Sequence, residues 1–176
     1  SYVNSKGFEV FLDLKLHDIP NTVFKSIQGL IDLPISMMTI HISGGLEMMR
    51  SAKNAVKGTN IKIFGVTALT SLSNEDSMAI FQRTSSEQVD AMLDLAEQAN
   101  IDGVVCSPHE LELVNKRRSL QSITPGIRLI ESSDDQIRVM TPKDAISRGA
   151  NYIVIGRPIT NAKNIKAALQ EIFNQI

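Results

Sequence analysis

The chain has 176 residues, with 18 Lys and Arg against 19 Asp and Glu, and a single cysteine. This length predicts one domain, residues 1–176, and the near-zero net charge gives no indication of a nucleic-acid partner or an anionic membrane. No apolar stretch approaches the roughly 20 residues that span a bilayer, and the opening SYVNSKGFEV lacks the features of a signal peptide. Because Cys106 is alone and cannot form an internal disulfide, we expect a soluble protein of the cytoplasm.

Short apolar runs recur along the chain, and most are followed by polar loop residues and a segment with helical spacing. The runs are FEVFLDL, MMTIHI, IKIFGVTAL, GVVCS, SITPG and YIVIG. Apolar residues spaced by 3.6, together with Pro and Gly at the ends, predict the helices between them. The predicted helices span residues 23–31, 48–56, 89–96, 142–149 and 162–173.

This alternation predicts a parallel sheet with right-handed crossovers, which is either an open doubly wound sheet or a closed barrel. A count of six strands favours the open sheet. Two observations favour the barrel: no Gly-rich phosphate turn follows the first strand, and polar residues collect at the C-terminal ends of nearly all strands. The predicted fold is therefore α/β, a TIM (β/α)₈ barrel with about six of its βα units represented.

The first apolar run ends in three charges, Asp13, Lys15 and Asp18. In an extended strand alternate side chains share a face, so Asp13 and Lys15 are expected to be neighbours at the end of a buried strand. Removing both charges from water costs several kcal/mol per ion unless they are paired, so such a pair is often functional. A structural ion pair at a strand end is the alternative.

A second group of residues suggests an anion site. Gly156 and Arg157 directly follow the sixth run, where glycine allows close approach of a backbone N–H and arginine adds fork-shaped charged donors. The long loop after the fifth run supplies Arg128, Gln136 and Arg138, in the region where barrels commonly bind phosphate. A solvated surface loop is the alternative for these residues.

Two further polar positions follow strands. His41 ends the second run, and a hydrogen-bonded structural role is favoured over a base or metal ligand because no second ligand stands at a supporting spacing. Thr70 and Ser71 follow the third run, where they would hydrogen-bond a polar ligand or cap the next helix.

Taken together, the motifs resemble those of the bacterial orotidine 5′-phosphate decarboxylase family. The matching segments cover nearly the whole chain in the expected order: FLDLKLHDIPNT, TIHISGG, VTALTS, TPGIR with DDQIRVMTP, and VIGRPIT. The shorter pattern Asp-x-Lys-x-x-Asp also resembles metal-dependent phosphosugar enzymes such as 3-keto-gulonate phosphate decarboxylase, but these lack the IPNT continuation.

The resemblance implies a homodimer with shared active sites that converts orotidine 5′-phosphate to UMP, in the last step of de novo pyrimidine synthesis, with no cofactor and no metal. It implies that Lys15 donates a proton to C6 of the pyrimidine and that Asp13 lies beside the departing carboxylate. It implies that Asp18 and Thr22 reach into the partner's site. The remaining implied contacts are Thr70 and Ser71 with the pyrimidine ring, and Arg128, Gln136, Gly156 and Arg157 with the phosphate.

The resemblance also implies two further βα units ahead of the first run, bearing a ribose-binding aspartate and a lysine of the charged network. Neither is among these 176 residues. We favour an omitted N-terminal segment over natural truncation or completion by a partner, because missing strands would expose apolar edges. The alternative functions are an incomplete, inactive barrel that only binds nucleotide monophosphates, and a metal-dependent phosphosugar decarboxylase.

Overall fold

The computed structural model describes residues 2–69, 72–129 and 140–176. Its strands form one sheet in the order in which they occur in the chain, and the pairs β1–β2, β2–β3 and β5–β6 are parallel. This order has no reversal, so it is the succession of a (β/α) barrel rather than of a doubly wound sheet. The strands are β1 (Phe11–Leu16), β2 (Met37–His41), β3 (Lys62–Val66), β4 (Gly103–Val105), β5 (Gln121–Thr124) and β6 (Tyr152–Ile153).

The helices of the described residues alternate with these strands, as the apolar periodicity predicts. None of them is both long and apolar enough to cross a membrane. They are α1 (Tyr2–Ser5), α2 (Pro20–Gln28), α3 (Leu46–Ala55), α4 (Asn74–Phe81), α5 (Ser85–Ala99), α6 (Leu111–Asn115), α7 (Pro142–Ser147), α8 (Arg157–Thr160) and α9 (Ile165–Gln175).

The chain forms two compact units, and the first consists of Ser1–Thr67 with Val89–Val104. Its core is built from the inward faces of β2, β3, α2, α3 and α5, whose apolar side chains are fully buried. Met48 and Met49 belong to this core, as their helical spacing predicts. Gly44 lies against Met48 before α3, and a Cβ at this position would require the Met48 side chain to move.

The second unit consists of Ala68–Gln88 with Val105–Ile176. It contains α4 and α6, two helices that the sequence analysis did not predict. In α4 only Ser77 is buried, so the helix has no apolar stripe; Ser73 caps it by accepting the Asp76 N–H at 3.0 Å. The single-domain organisation stays a prediction.

Predicted helix ends differ from the observed ends where a local cap decides them. The last helix starts at Ile165 rather than near residue 162, because the Asn164 side chain accepts the Ala167 N–H at 3.1 Å. Pro20 occupies the first turn of α2, which therefore starts before the apolar spacing does. Thr141 caps α7 and Gly149 follows its end with φ 87°, as predicted.

The prediction that the first strand is buried is wrong. β1 pairs only with β2 among the described residues, and Asp13, Leu14 and Lys15 are exposed. The apolar run indicates a strand, but it does not indicate whether that strand has a neighbour on one side or on both.

Candidate active site

The end of β1 departs from regular pairing with β2. Leu12 lies opposite Met38 and Leu16 lies opposite Ile40, so three residues of β1, 13 to 15, face the single residue Thr39. Lys15 has φ 52°, in the left-handed region that residues with a side chain rarely adopt. Bulges of this kind re-aim side chains, and strained backbone of this kind is concentrated at functional sites.

The bulge brings Asp13 and Lys15 together as the sequence predicts. The Lys15 ammonium lies 2.5 Å from Asp13 Oδ2, and the two side chains are 41% and 43% exposed. The expectation of a buried pair is therefore wrong, because the edge strand leaves both groups in contact with solvent. Exposed pairs of this kind contribute only about 0–1 kcal/mol to stability, so stabilisation alone does not explain a strained lysine here.

Thr39, which the sequence analysis did not select, connects the two charged residues. Its side chain is fully buried on β2. The Thr39 hydroxyl accepts the Lys15 backbone N–H at 2.9 Å and donates to Asp13 Oδ1 at 2.8 Å. The one signal in the sequence was a hydroxyl residue among the apolar residues that precede His41 in the run MMTIHI.

His41 ends β2 beside this pair. Its ring lies 5.4 Å from the ring of His17, with a tilt of 41° between the planes. Burial lowers the pKa of His41 below its ordinary value, and the positive potential of His17 and Lys15 lowers it further against an opposing effect of Asp13. Within residues 2–69, 72–129 and 140–176, no group of three or more His, Cys, Asp or Glu side chains is placed to hold a metal ion.

Asp18 lies two residues before α2 and Thr22 lies in its first turn, and both are exposed. The Asp18 carboxylate accepts the Ile19 N–H at 2.7 Å, and the Thr22 N–H donates to the Ile19 carbonyl at 3.0 Å. Among the ion pairs of the described residues, Lys15 pairs with Asp13 and Asp18 takes part in none. The predicted role of Asp18 and Thr22 in a partner's site stays a prediction.

In the second unit, Gly156 and Arg157 lie together where β6 passes into α8. Gly156 is exposed, and a Cβ on it would meet no atom within 4 Å, so its backbone is open to close approach. Its carbonyl accepts the Ile159 and Thr160 N–H groups at 2.9 and 3.0 Å, which form the first turn of the short helix that Arg157 begins.

Arg128 follows β5 and is only 8% exposed. Its backbone N–H donates to the Met140 carbonyl and its Nη1 to the Ile127 carbonyl, both at 3.0 Å. The guanidinium thus contacts its own loop, and the predicted phosphate contact stays a prediction. Thr70, Ser71, Gln136 and Arg138 lie outside the described residues.

Strands that follow one another in chain order, with a charged pair at the C-terminal end of one and a Gly-Arg turn after another, define an α/β enzyme of the barrel class. A family model described as orotidine 5′-phosphate decarboxylase / HUMPS matches residues 1–172. The chain belongs to this family, as the motifs predicted.

Individual relatives agree with this assignment. The chain is 46% identical over 175 residues to orotidine 5′-phosphate decarboxylase of Saccharophagus degradans, which covers 95% of this chain and 73% of the relative. The identity to the Actinobacillus succinogenes protein of the same name is 45% over 177 residues, covering 97% and 76%. The chain thus spans about three quarters of the length of these relatives.

A solved structure supports the same fold. The crystal structure of orotidine 5′-phosphate decarboxylase from Lactobacillus acidophilus matches with a TM-score of 0.83 at 37% identity, covering 98% of this chain and 77% of the other. The predicted α/β barrel class is confirmed, and the described residues contribute six strands to it.

Proposed function

We propose that this chain is a carboxy-lyase that converts orotidine 5′-phosphate to UMP in pyrimidine synthesis. The observation that carries the proposal is the Asp13–Lys15 pair, held on a strained bulge at the C-terminal end of β1 in a chain of the orotidine 5′-phosphate decarboxylase family. In barrels of this class the C-terminal ends of the strands form the active site.

The proposed reaction needs a positive charge at a defined place. Loss of carbon dioxide from C6 leaves an electron pair in an sp² orbital without an adjacent π-acceptor, so the developing charge must be met electrostatically. The Lys15 ammonium supplies that charge and then donates a proton to C6, where the C–H bond replaces the C–C bond. Lys15 then regains its proton from solvent after the product leaves.

Asp13 orients the ammonium from a distance of 2.5 Å, and we propose that it lies beside the departing carboxylate. Binding energy from the remote phosphate orients the pyrimidine over Lys15. For the phosphate we propose Arg157 with the open backbone of Gly156, together with Arg128 and Gln136. Thr70 and Ser71 are proposed to contact the ring.

The test is the decay of the orotate absorbance when purified protein is mixed with orotidine 5′-phosphate in the presence of a chelator. We expect turnover to continue and to release one carbon dioxide per UMP. Turnover that stops in chelator and returns with a divalent cation would instead favour a metal-dependent phosphosugar enzyme. Binding of UMP without turnover would favour an incomplete barrel that only binds nucleotides.

We further propose a homodimer in which Asp18 and Thr22 complete the partner's site. Both lie on an exposed surface, and Asp18 forms no ion pair within the described chain. The test mixes two inactive variants, Lys15→Ala and Asp18→Ala. Random reassortment makes half of the dimers mixed, and each mixed dimer has one intact site of two, so we expect about a quarter of the wild-type activity.

A matched mixture provides the control for this experiment. Lys15→Ala mixed with Asp13→Ala disables both sites of every mixed dimer, since these two residues act in the same chain. This control mixture should regain no activity. If the first mixture also regains nothing while subunits exchange, Asp18 does not act across the interface.

We propose that the protein works in the cytoplasm. Cys106 is the one cysteine of the chain and is buried. Burial raises the pKa of its thiol to about 12, so it is inert to thiolate chemistry. Fractionation of cells that produce the protein should recover it with cytoplasmic markers, and recovery in a secreted fraction would contradict this location.

A further inference from the structure

The Thr39 hydroxyl fills a gap in the hydrogen-bond ladder between β1 and β2. Three residues of β1 face this one residue of β2, so the backbone of β2 cannot serve every N–H of the bulge. The Lys15 N–H is served by the Thr39 side chain instead, at 2.9 Å. The left-handed conformation of Lys15, with φ 52°, is therefore supported by a side chain rather than by regular pairing.

The direction of the hydrogen bonds follows from what each group is able to donate. A hydroxyl has one proton, and an ionised carboxylate only accepts. Because the Thr39 oxygen accepts the Lys15 N–H, its own proton goes to Asp13 Oδ1, at 2.8 Å. Asp13 Oδ2 in turn accepts from the Lys15 ammonium. The three residues thus form a closed ring in which each Asp13 oxygen has its own donor.

The position of Thr39 restricts the movement of its hydroxyl within this ring. Its side chain is fully buried, and it lies on an interior strand, opposite Phe64 of β3 on the other side. A β-branched side chain on a strand has restricted χ1 freedom, which fixes the hydroxyl. Asp13 and Lys15 are by contrast exposed and lie on the edge strand. The buried hydroxyl is therefore a fixed point to which the two exposed charged residues are hydrogen-bonded.

We infer that Thr39 is a positioning residue for the decarboxylation, acting through Asp13 and through the backbone of Lys15. This inference rests on the proposed function. Thr39 orients the carboxylate and holds the lysine backbone in its left-handed conformation, so that the ammonium is aimed before substrate arrives. Displacement of catalytic groups by about 1 Å costs on the order of 100-fold in rate, which sets the scale of the expected effect.

The test compares Thr39→Val, which removes the hydroxyl at nearly constant shape, with Thr39→Ser, which keeps it. We expect Thr39→Val to lower kcat about 10- to 100-fold with KM for orotidine 5′-phosphate nearly unchanged, and Thr39→Ser to stay within about 3-fold of wild type. Should the valine variant not fold, Thr39→Cys takes its place, since a thiol has similar size and only weak hydrogen bonds. Equal kcat in the wild-type, serine and valine (or cysteine) proteins would overturn the inference.

A double-mutant cycle separates positioning from general structural damage. In an Asp13→Asn background, Thr39→Val should cost much less than it does alone, because the carboxylate through which it acts is gone. Full multiplication of the two losses would refute action through Asp13. Thr59→Val is the control for loss of a bridging hydroxyl. The exposed Thr59 hydroxyl also accepts a backbone N–H, from Ile61 at 3.1 Å, and donates to the Val56 carbonyl at 2.8 Å, but it is far from β1 in sequence and bound to neither charge.

Hydrogen exchange gives a readout that does not depend on activity. The Lys15 amide should exchange slowly in wild type and in Thr39→Ser, and markedly faster in Thr39→Val. Wild-type protein that shows this pattern but no turnover would contradict the proposed function while leaving the Thr39 hydrogen bond intact. Wild-type turnover with unchanged exchange in Thr39→Val would contradict the inference alone.

Discussion

Two Lys–Asp pairs in the first unit have the same length and different surroundings. Lys15 with Asp13 and Lys53 with Asp102 both have a nitrogen–oxygen distance of 2.5 Å. Lys53 contacts both oxygens of Asp102, and Asp102 Oδ2 also accepts the Ile63 N–H at 2.8 Å. This second pair joins α3 to the start of β4 and to β3, which is a structural task.

The two pairs have the same ion-pair distance but differ in backbone conformation. Among the described residues with a side chain, positive φ occurs at Lys15, Gln82 and Asn100, and at neither member of the second pair. Gln82 ends α4 and Asn100 follows α5, both ordinary places for the left-handed conformation. Lys15 alone of the three lies within a strand. Backbone strain at a strand end, unlike charge pairing, therefore separates the pair proposed to be catalytic from the structural one.

The strongest test of this comparison removes one ammonium from each pair. Lys15→Met and Lys53→Met both keep a long unbranched side chain and lose the charge. We expect Lys15→Met to lower kcat by on the order of 10⁴-fold or more, because electrostatic stabilisation and the proton donor are both lost. Lys53→Met should stay within about 3-fold of wild type, since Lys53 and Asp102 join α3 to β3 and β4 and neither is a proposed site residue. Steady-state assays with orotidine 5′-phosphate measure both, and similar losses in the two variants would contradict the distinction.

Arg157 of the second unit is a cation proposed to bind the substrate phosphate, and its removal tests binding rather than the chemical step. Arg157→Ala should lower kcat/KM about 10- to 100-fold, the range expected for loss of charge-assisted hydrogen bonds to a phosphate. Most of the loss is expected in KM, and inorganic phosphate should inhibit the variant less than the wild type. Arg148→Ala, at an exposed position that follows α7, is the control and should leave both constants unchanged. An unaltered KM in Arg157→Ala would exclude Arg157 from the phosphate site.

The sequence predicted much of this architecture because periodicity is local. Apolar spacing located the strands and the longer helices, and the polar residues at the C-terminal ends of the strands, with no Gly-rich turn after the first, favoured a barrel. The bulge at Lys15 could not be predicted, because strict alternation of side chains was the only available guide to a strand. It is the register against β2, 26 residues away for Asp13 and Thr39, that puts three residues opposite one.

Contacts between residues that are distant in the sequence also explain why other features were not predicted. Asp102 was not selected because its partner Lys53 is 49 residues away, and no pattern in the sequence links them. The exposure of Asp13 and Lys15 was wrongly predicted for a related reason: burial of a strand depends on how many neighbours it has. The proposed roles of Asp13 and Lys15 come from the resemblance to a family, whereas the hydrogen bonds of Thr39 to both residues are visible only in the structure.

Removal of the second pair's anion should affect stability rather than activity. Asp102→Asn keeps the shape and leaves Lys53 without its counter-charge, so the free energy of unfolding should fall by about 1–2 kcal/mol, a value between those of exposed and buried pairs. Urea denaturation measures it, with Glu47→Gln as the control, because the Arg50–Glu47 pair is exposed and should contribute little. A loss of activity in folded Asp102→Asn would remove the distinction between the two pairs.

The smallest expected effect concerns pH, because a histidine lies beside the first pair. The lowered pKa of His41 means that folding disfavours its protonated form, so His41 stabilises the fold above its unfolded pKa and this contribution disappears as pH falls through the lower folded value. The midpoint of thermal unfolding should therefore drop on acidification below about pH 6.5, and part of that drop should be absent in His41→Asn, which cannot be protonated. His17→Asn should weaken the same dependence less, since burial is the larger cause of the shift. If His41→Asn and wild type lose stability in parallel as the pH falls, the acid sensitivity has its origin elsewhere in the chain, and the electrostatic link between His41 and Lys15 has no measurable consequence for folding.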